Sequence, residues 1–177
     1  MLNPEAASDV RLRIIDYVEH KAGFILSEDE KQHIMVVGFG GFFASGAGAI
    51  DTVMHARYGG RLIIFFPDQL FPEHWHPNVD GSLGKEETFR VLWGSVYSYG
   101  EGEPSSSAES RIPPGKEAVF TARHEVVLNA GEQRTIGLQE RHWFVGGPQG
   151  AVALEISSTV RDPFDRFTDD AMKVDVM

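Results

Sequence analysis

A chain of 177 residues, 42% hydrophobic and 24% charged, has the size and composition of one soluble globular domain with a sizeable core. Its formal net charge of −10, with no cluster of Lys and Arg, argues against a nucleic-acid partner and favours a small or neutral ligand. The absence of cysteine rules out a disulfide framework or a thiolate metal site and fits a reducing, cytoplasmic setting.

Met1-Leu2-Asn3-Pro4-Glu5 lacks the basic region and apolar run of a signal peptide, so secretion is not expected. Asn3, Pro4 and Glu5 read as a cap, a first-turn proline and a first-turn acid. Val10, Ile14, Ile15 and Val18 then recur at helical spacing, which predicts an amphipathic helix over about residues 4–20. Ser27-Glu28-Asp29-Glu30 starts a second, short helix that ends near His33. Residues 34–50 form an uncharged run at the lower edge of a membrane span. Five of them are glycines, however, so a buried strand, turn and strand is expected, and no membrane partner.

Beyond residue 50, short β-branched and aromatic runs are separated by Gly, Pro, Asn or Asp. They predict strands at 52–56, 61–66, 87–93, 95–99, 118–121, 124–128, 133–136, 142–145 and 151–157. Strands this short and close indicate an antiparallel sandwich or small barrel. Residues 101–110 read as an exposed loop and 168–177 as a loosely held end. The organisation expected is therefore one domain over 1–177, with a helical extension (1–33), a β-barrel (34–167) and a tail (168–177). Gly38-Phe39-Gly40-Gly41-Phe42-Phe43 is no dinucleotide fingerprint, because Phe43 stands at the third glycine position and no helix pattern follows.

His74-Trp75-His76 carries the chemistry. Two histidines one residue apart share a face of a strand, so both imidazoles can address one ion. Glu87 and His142 belong to two later strand-and-turn blocks that bring further ligands inward. Three imidazoles and one carboxylate surround a divalent metal and leave positions open for substrate. By the same alternation Glu86 points away from Glu87, and Trp75 and Trp143 turn toward core packing. His20, His33 and His55 have no such context and read as surface or core-edge residues, while His124 reads as a hydrogen-bonding residue within the barrel.

The two blocks resemble the two motifs of the cupin superfamily, a double-stranded β-helix or jelly-roll barrel, which implies a mainly β fold with N-terminal helices. Ten residues, not the usual three or four, separate His76 from Glu87, and Gly137 and Gln139 stand where a proline and a glycine are common. Within cupins, Pro72-Glu73-His74-Trp75-His76-Pro77, Gly84-Lys85-Glu86-Glu87-Thr88-Phe89-Arg90, Trp93-Gly94, His124-Glu125-Val126-Val127-Leu128, His142-Trp143-Phe144, Glu155 and Asp165-Arg166-Phe167-Thr168-Asp169 together resemble bacterial D-lyxose isomerases. That resemblance implies a manganese-dependent aldose–ketose isomerase acting on D-lyxose and D-xylulose, and often on D-mannose and D-fructose. It implies metal ligation by His74, His76, Glu87 and His142, and acid/base roles for Lys85 and Glu155.

Those residues suit the reaction. Moving a proton between C1 and C2 needs a polarised carbonyl, one group over the carbon and another on the oxygen side; Glu155 and Lys85 are the candidates, and the sequence does not fix which of them acts on carbon. Glu155 faces away from Val152, Leu154 and Ile156 and has small neighbours. Lys85, two residues before Glu87, faces the same interior and is expected to titrate below its free value beside a dication. Mixed ligation suits Mn²⁺ but also admits Co²⁺, Fe²⁺, Ni²⁺ or Zn²⁺. Asp165 and Arg166 are expected to contact the sugar from a loop, and exposed strand edges make a homodimer the expected assembly. Two rival readings are a cupin dioxygenase or decarboxylase on the same ligands, and a sugar- or metal-binding cupin without turnover.

Overall fold

The computed structural model describes residues 4–177. Helix α1 (Pro4–Ile15) runs straight into a π-helical turn, Asp16–Lys21, so the helix predicted over 4–20 forms; its predicted cap, Asn3, lies outside the described residues. Val10, Ile14 and Val18 are fully buried in a cluster with Val36, Ile50, Leu62 and Ile64. Each such burial contributes about 1.5–3 kcal/mol, enough to fix the helix on the sheet. Helix α2 (Glu28–Gln32) starts at a capping box: Ser27 Oγ accepts from Glu30 N at 3.2 Å, and the Glu30 carboxylate accepts from Ser27 N at 2.8 Å.

The strands are β1 (Met35–Gly41), β2 (Ser45–His55), β3 (Tyr58–Phe65), β4 (Leu70–Trp75), β5 (Glu87–Gly100), β6 (His124–Asn129), β7 (Gln133–Ile136), β8 (His142–Ser158), β9 (Arg166–Phe167) and β10 (Val174–Val176). Pairing is antiparallel except for one parallel bridge, Ser45 to Leu70, between β2 and β4. The glycine-rich 34–50 run is the expected strand, turn and strand, and among the described residues no helix is long and apolar enough to cross a membrane.

Two long strands organise the rest. The second half of β8 pairs with β3, its first half pairs with β4, and β5 flanks it along both halves. One layer therefore holds β10, β1, β2, β3, the end of β8, the start of β5 and β7. The other holds β9, β4, the start of β8, the end of β5 and β6. The strands bend together at Gly94 (φ +75°) and Gly150 (φ +81°), where a Cβ on Gly94 would lie 2.1 Å from the Gly150 carbonyl oxygen. Only glycine permits that approach. The runs predicted separately at 87–93 and 95–99 are thus the two arms of β5, and those at 142–145 and 151–157 are arms of β8.

Between the layers, Ala47, Ala49, Ile63, Phe65, Phe89, Val91, Phe144 and Ala153 form the inner core. On the outside of the second layer, Trp143 stacks on Tyr99 at 3.7 Å beneath Ala108, Ile112 and Phe120 from the 101–123 loop. That loop is therefore a cover over a second apolar cluster, with Ala108 fully buried, and its stretch 101–110 is only partly the exposed loop expected.

Two further expectations are corrected. Residues 118–121 are not a strand: Val119 N donates to Lys116 O, while Thr121 N, Thr121 Oγ1 and Ala122 N all donate to the Glu73 carboxylate, at 2.6, 2.8 and 2.7 Å. Backbone donors spent on a buried carboxylate are lost to a ladder. The end of the chain is not loose, because β10 pairs with β1, and Met177 exchanges backbone hydrogen bonds with Val36. Thr168 Oγ1 is a fourth donor to Glu73, at 2.6 Å, so this one acid fastens both the 113–123 loop and the 168 region to β4. Glu73→Ala strands several of these donors and is expected to cost about 3 kcal/mol or more, lowering the melting temperature by about 6–12 °C in calorimetry.

Candidate metal centre

Four buried side chains converge at one end of the interior: His74, His76, Glu87 and His142 each offer one donor atom, all within 4.8 Å of one another. Backbone register explains the meeting. His74 in β4 lies directly across from His142, the first residue of β8, which puts both imidazoles on one face with ring centroids 4.2 Å apart. His76 follows one residue beyond the end of β4 and keeps that face, 5.2 Å from each of the other two rings. Glu87 opens β5, with Oε1 3.2 Å from His142 Nε2 and Oε2 3.4 Å from His76 Nε2.

The far nitrogen of each ring sets its tautomer. His74 Nδ1 lies 2.9 Å from Pro72 O, and His142 Nδ1 lies 2.8 Å from Glu140 O. A carbonyl oxygen only accepts, so Nδ1 carries the hydrogen in both rings, and in the neutral imidazole Nε2 is left with its lone pair toward the cluster. His76 Nδ1 makes the equivalent bond to Asp165 Oδ1 at 2.7 Å. Around the convergence point His76 Nε2 and His142 Nε2 are buried without a hydrogen-bond partner among the described residues. Such atoms are costly unless a cation takes them, so the donor set fits a divalent ion.

Beside the cluster, Lys85 Nζ is 2.6 Å from Glu87 Oε2 and 3.2 Å from Glu155 Oε1, and both Lys85 and Glu155 are buried. Burial pulls the lysine's value down, but Glu87 and Glu155, with Asp165 beyond, raise it by more, and it stays charged. Two buried carboxylates facing the ammonium set that direction among the protein's own side chains, whereas the lowering expected from the sequence is for a site that holds a dication. Burial and the charge of Glu87 push Glu155 up, against the pull of Lys85 and Arg61. Glu87 goes the other way: burial opposes its charge, but Lys85 and the two histidines hold it well below the carboxylate range. Burial and the other two rings hold His74 well below its ordinary value. In His76 burial is outweighed by Asp165 and Glu87, which raise it to about 9.

His74, Lys85, Glu87, Glu155 and Asp165 line one cavity of about 160 Å³. Asp165 is thus at the site, holding His76. Arg166 is not: its side chain is exposed and does not line the cavity, since it follows Asp165 on the opposite face of the short β9. Glu155 sits between buried Ala153 and Ser157 on the inner face, as its parity implied. His124 hydrogen-bonds Glu103 O on the covering loop, at 3.0 Å, away from the centre. Sequence reasoning missed Arg61, a buried cavity residue gripped by Asp51 at 2.6 Å and Asp162 at 2.9 Å, and cross-strand from Glu155. Its only signal is a charge opening the apolar run 61–66.

No family model matches the chain. Among curated proteins, it is 48% identical over 151 residues to a D-lyxose ketol-isomerase of Cohnella laeviribosi, covering 84% of this chain and 83% of that one. It is 40% identical over 175 residues to a D-lyxose ketol-isomerase of Thermofilum sp. (strain ex4484_79), covering 98% and 97%. A D-lyxose/D-mannose isomerase of Thermosediminibacter oceani is 38% identical over 175 residues, covering 98% and 96%. Among solved structures, L-ribose isomerase of Cellulomonas parahominis superposes with a TM-score of 0.77 at 13% identity, covering 96% of this chain and 94% of that one. The Geodermatophilus obscurus L-ribose isomerase gives 0.71 at 11% identity over the same shares. At that identity the likeness shows the fold, an antiparallel cupin barrel.

Proposed function

The chain belongs to the D-lyxose ketol-isomerase family, and from that premise we propose that it interconverts D-lyxose and D-xylulose, with D-mannose and D-fructose as a second pair, at the buried histidine and glutamate cluster. The carrying observation is the juxtaposition of two kinds of chemistry: a four-donor cation site, and an ammonium and carboxylate pair 3.2 Å apart that touches it through Glu87. His74, His76, Glu87 and His142 would hold the ion; the donors admit several divalent metals, and Mn²⁺ is the occupant that the family resemblance implies. When bound, a divalent ion supplies Lewis-acid polarisation of the sugar's carbonyl oxygen.

The side chains do the rest. Glu155, basic because it is buried near Glu87, takes the proton from C2 of the open-chain aldose and returns it to C1 of the cis-enediol. Lys85, held charged by two carboxylates, lends a proton on the oxygen side and recovers it as O2 becomes the ketone. Both side chains are buried, which strengthens both interactions. Asp165 keeps the His76 ring turned to the cluster. The edge strands β9 and β10 favour assembly as a homodimer, and the cysteine-free sequence favours a cytoplasmic setting.

Incubation of the Mn²⁺-loaded protein with D-lyxose in D₂O tests the reading. Expected are D-xylulose formation and solvent deuterium at C1 in part of the product, since a carboxylic acid exchanges its proton with solvent in competition with return. Oxygen consumption with no ketose would assign the cluster to oxidative chemistry and overturn the isomerase.

A further inference from the structure

The cavity is chemically divided. Its charged side chains gather around Glu155, while the wall made by β1, β2 and β10 is apolar. Register fixes the arrangement: Val37 lies across from Ala47 on one side and Val176 on the other, Phe39 lies across from Val174, and Met35 lies across from Ala49. Cross-strand partners share a face, so the C-terminal strand adds Val174 and Val176 to the same inner wall. Along β8, Glu155 is one two-residue step from Ala153, which is cross-strand from Ile63 beside Ala49.

The wall and the Glu155–Lys85 pair bound one cavity, so a sugar with C1 and C2 at that pair extends its remaining carbons into the space this wall closes, and no polar side chain among the described residues lines the wall. We propose that the β1, β2 and β10 wall reads the terminal carbon of the substrate, and that 6-deoxyaldohexoses, which end in a methyl group, are better substrates than the parent hexoses. The inference rests on the isomerase reading above and adds a substrate class to it. Val174 and Val176 are about half exposed, so water solvates part of a terminal hydroxyl and the discrimination falls below the about 100-fold typical of a closed apolar pocket.

The test is initial rates of the Mn²⁺-loaded protein on D-lyxose, D-mannose and 6-deoxy-D-mannose. A kcat/KM about tenfold higher for 6-deoxy-D-mannose than for D-mannose is expected. Val176→Thr, which keeps the side-chain shape and adds a hydroxyl on the edge strand, is expected to shrink that ratio toward one. Equal or better turnover of D-mannose by the unaltered protein, or a ratio that Val176→Thr leaves unmoved, overturns the proposal while D-lyxose turnover keeps the isomerase reading standing. Absence of turnover on D-lyxose itself overturns both.

Discussion

Glu155→Gln leaves the divalent ion bound and lowers kcat on D-lyxose about 10³-fold. The amide keeps the shape and still meets Lys85, but it cannot accept a proton from carbon, and a positioned base is worth about 10²–10⁴-fold. Metal content by elemental analysis should stay at the unaltered level, because Glu155 is not one of the four clustered donors. A variant with normal kcat would move the carbon-directed role to another residue. The pH profile gives an independent reading. Burial and Glu87 raise Glu155 above the ordinary carboxylate value, and only its ionised form is a base. Activity is therefore lost as pH falls through that raised value, and the acid limb of kcat/KM lies above the usual carboxylate range.

Glu87→Gln has the second large effect, on metal and stability together. The change removes the anionic donor from the cluster and takes from the buried Lys85 its nearest counter-charge, 2.6 Å away. Breaking a buried pair from one side typically costs about 3–5 kcal/mol. Glu155 stays within reach of the ammonium, so the lower end is expected, measured by urea unfolding in chelator. Metal retained after gel filtration should fall from near one ion per chain to a small fraction, with turnover below detection. In the unaltered protein His76, raised to about 9, must lose its proton to accept an ion, so metal affinity climbs as pH rises toward about 9 and a proton is released on binding. In chelator the sign reverses for stability. A histidine raised from 6.5 to about 9 stabilises the fold fully below 6.5, and that contribution is lost as pH rises to about 9.

How much of this could be read from the residues follows from the range of each interaction. His74 and His76 were legible because strand alternation is local, and Glu155 because small residues flank it at the right parity. Arg61 was not, since β3 is covered on both sides: Leu62 and Ile64 face the helix, Ile63 and Phe65 the interior, and no alternation marks its inward direction. Glu73 was invisible as an anchor because its partners lie 48 and 95 residues away. Asp165 was found but its partner was not, as the bond to His76 spans 89 residues. The long arms of β5 and β8 read as four short strands because the glycines at their bends interrupt each apolar run, which is the ordinary mark of a turn.

Strand β8 has a consequence for anyone altering this enzyme. Its first residue, His142, belongs to the ion cluster and its fourteenth, Glu155, to proton transfer, so a single continuous backbone holds both halves of the chemistry. Inserting or deleting one residue between them reverses the pleat beyond that point and turns Glu155 outward while His142 stays in place. New substrate ranges are therefore best sought by point substitution at Val174 and Val176 in β10, which lies beyond that strand and leaves its phase undisturbed.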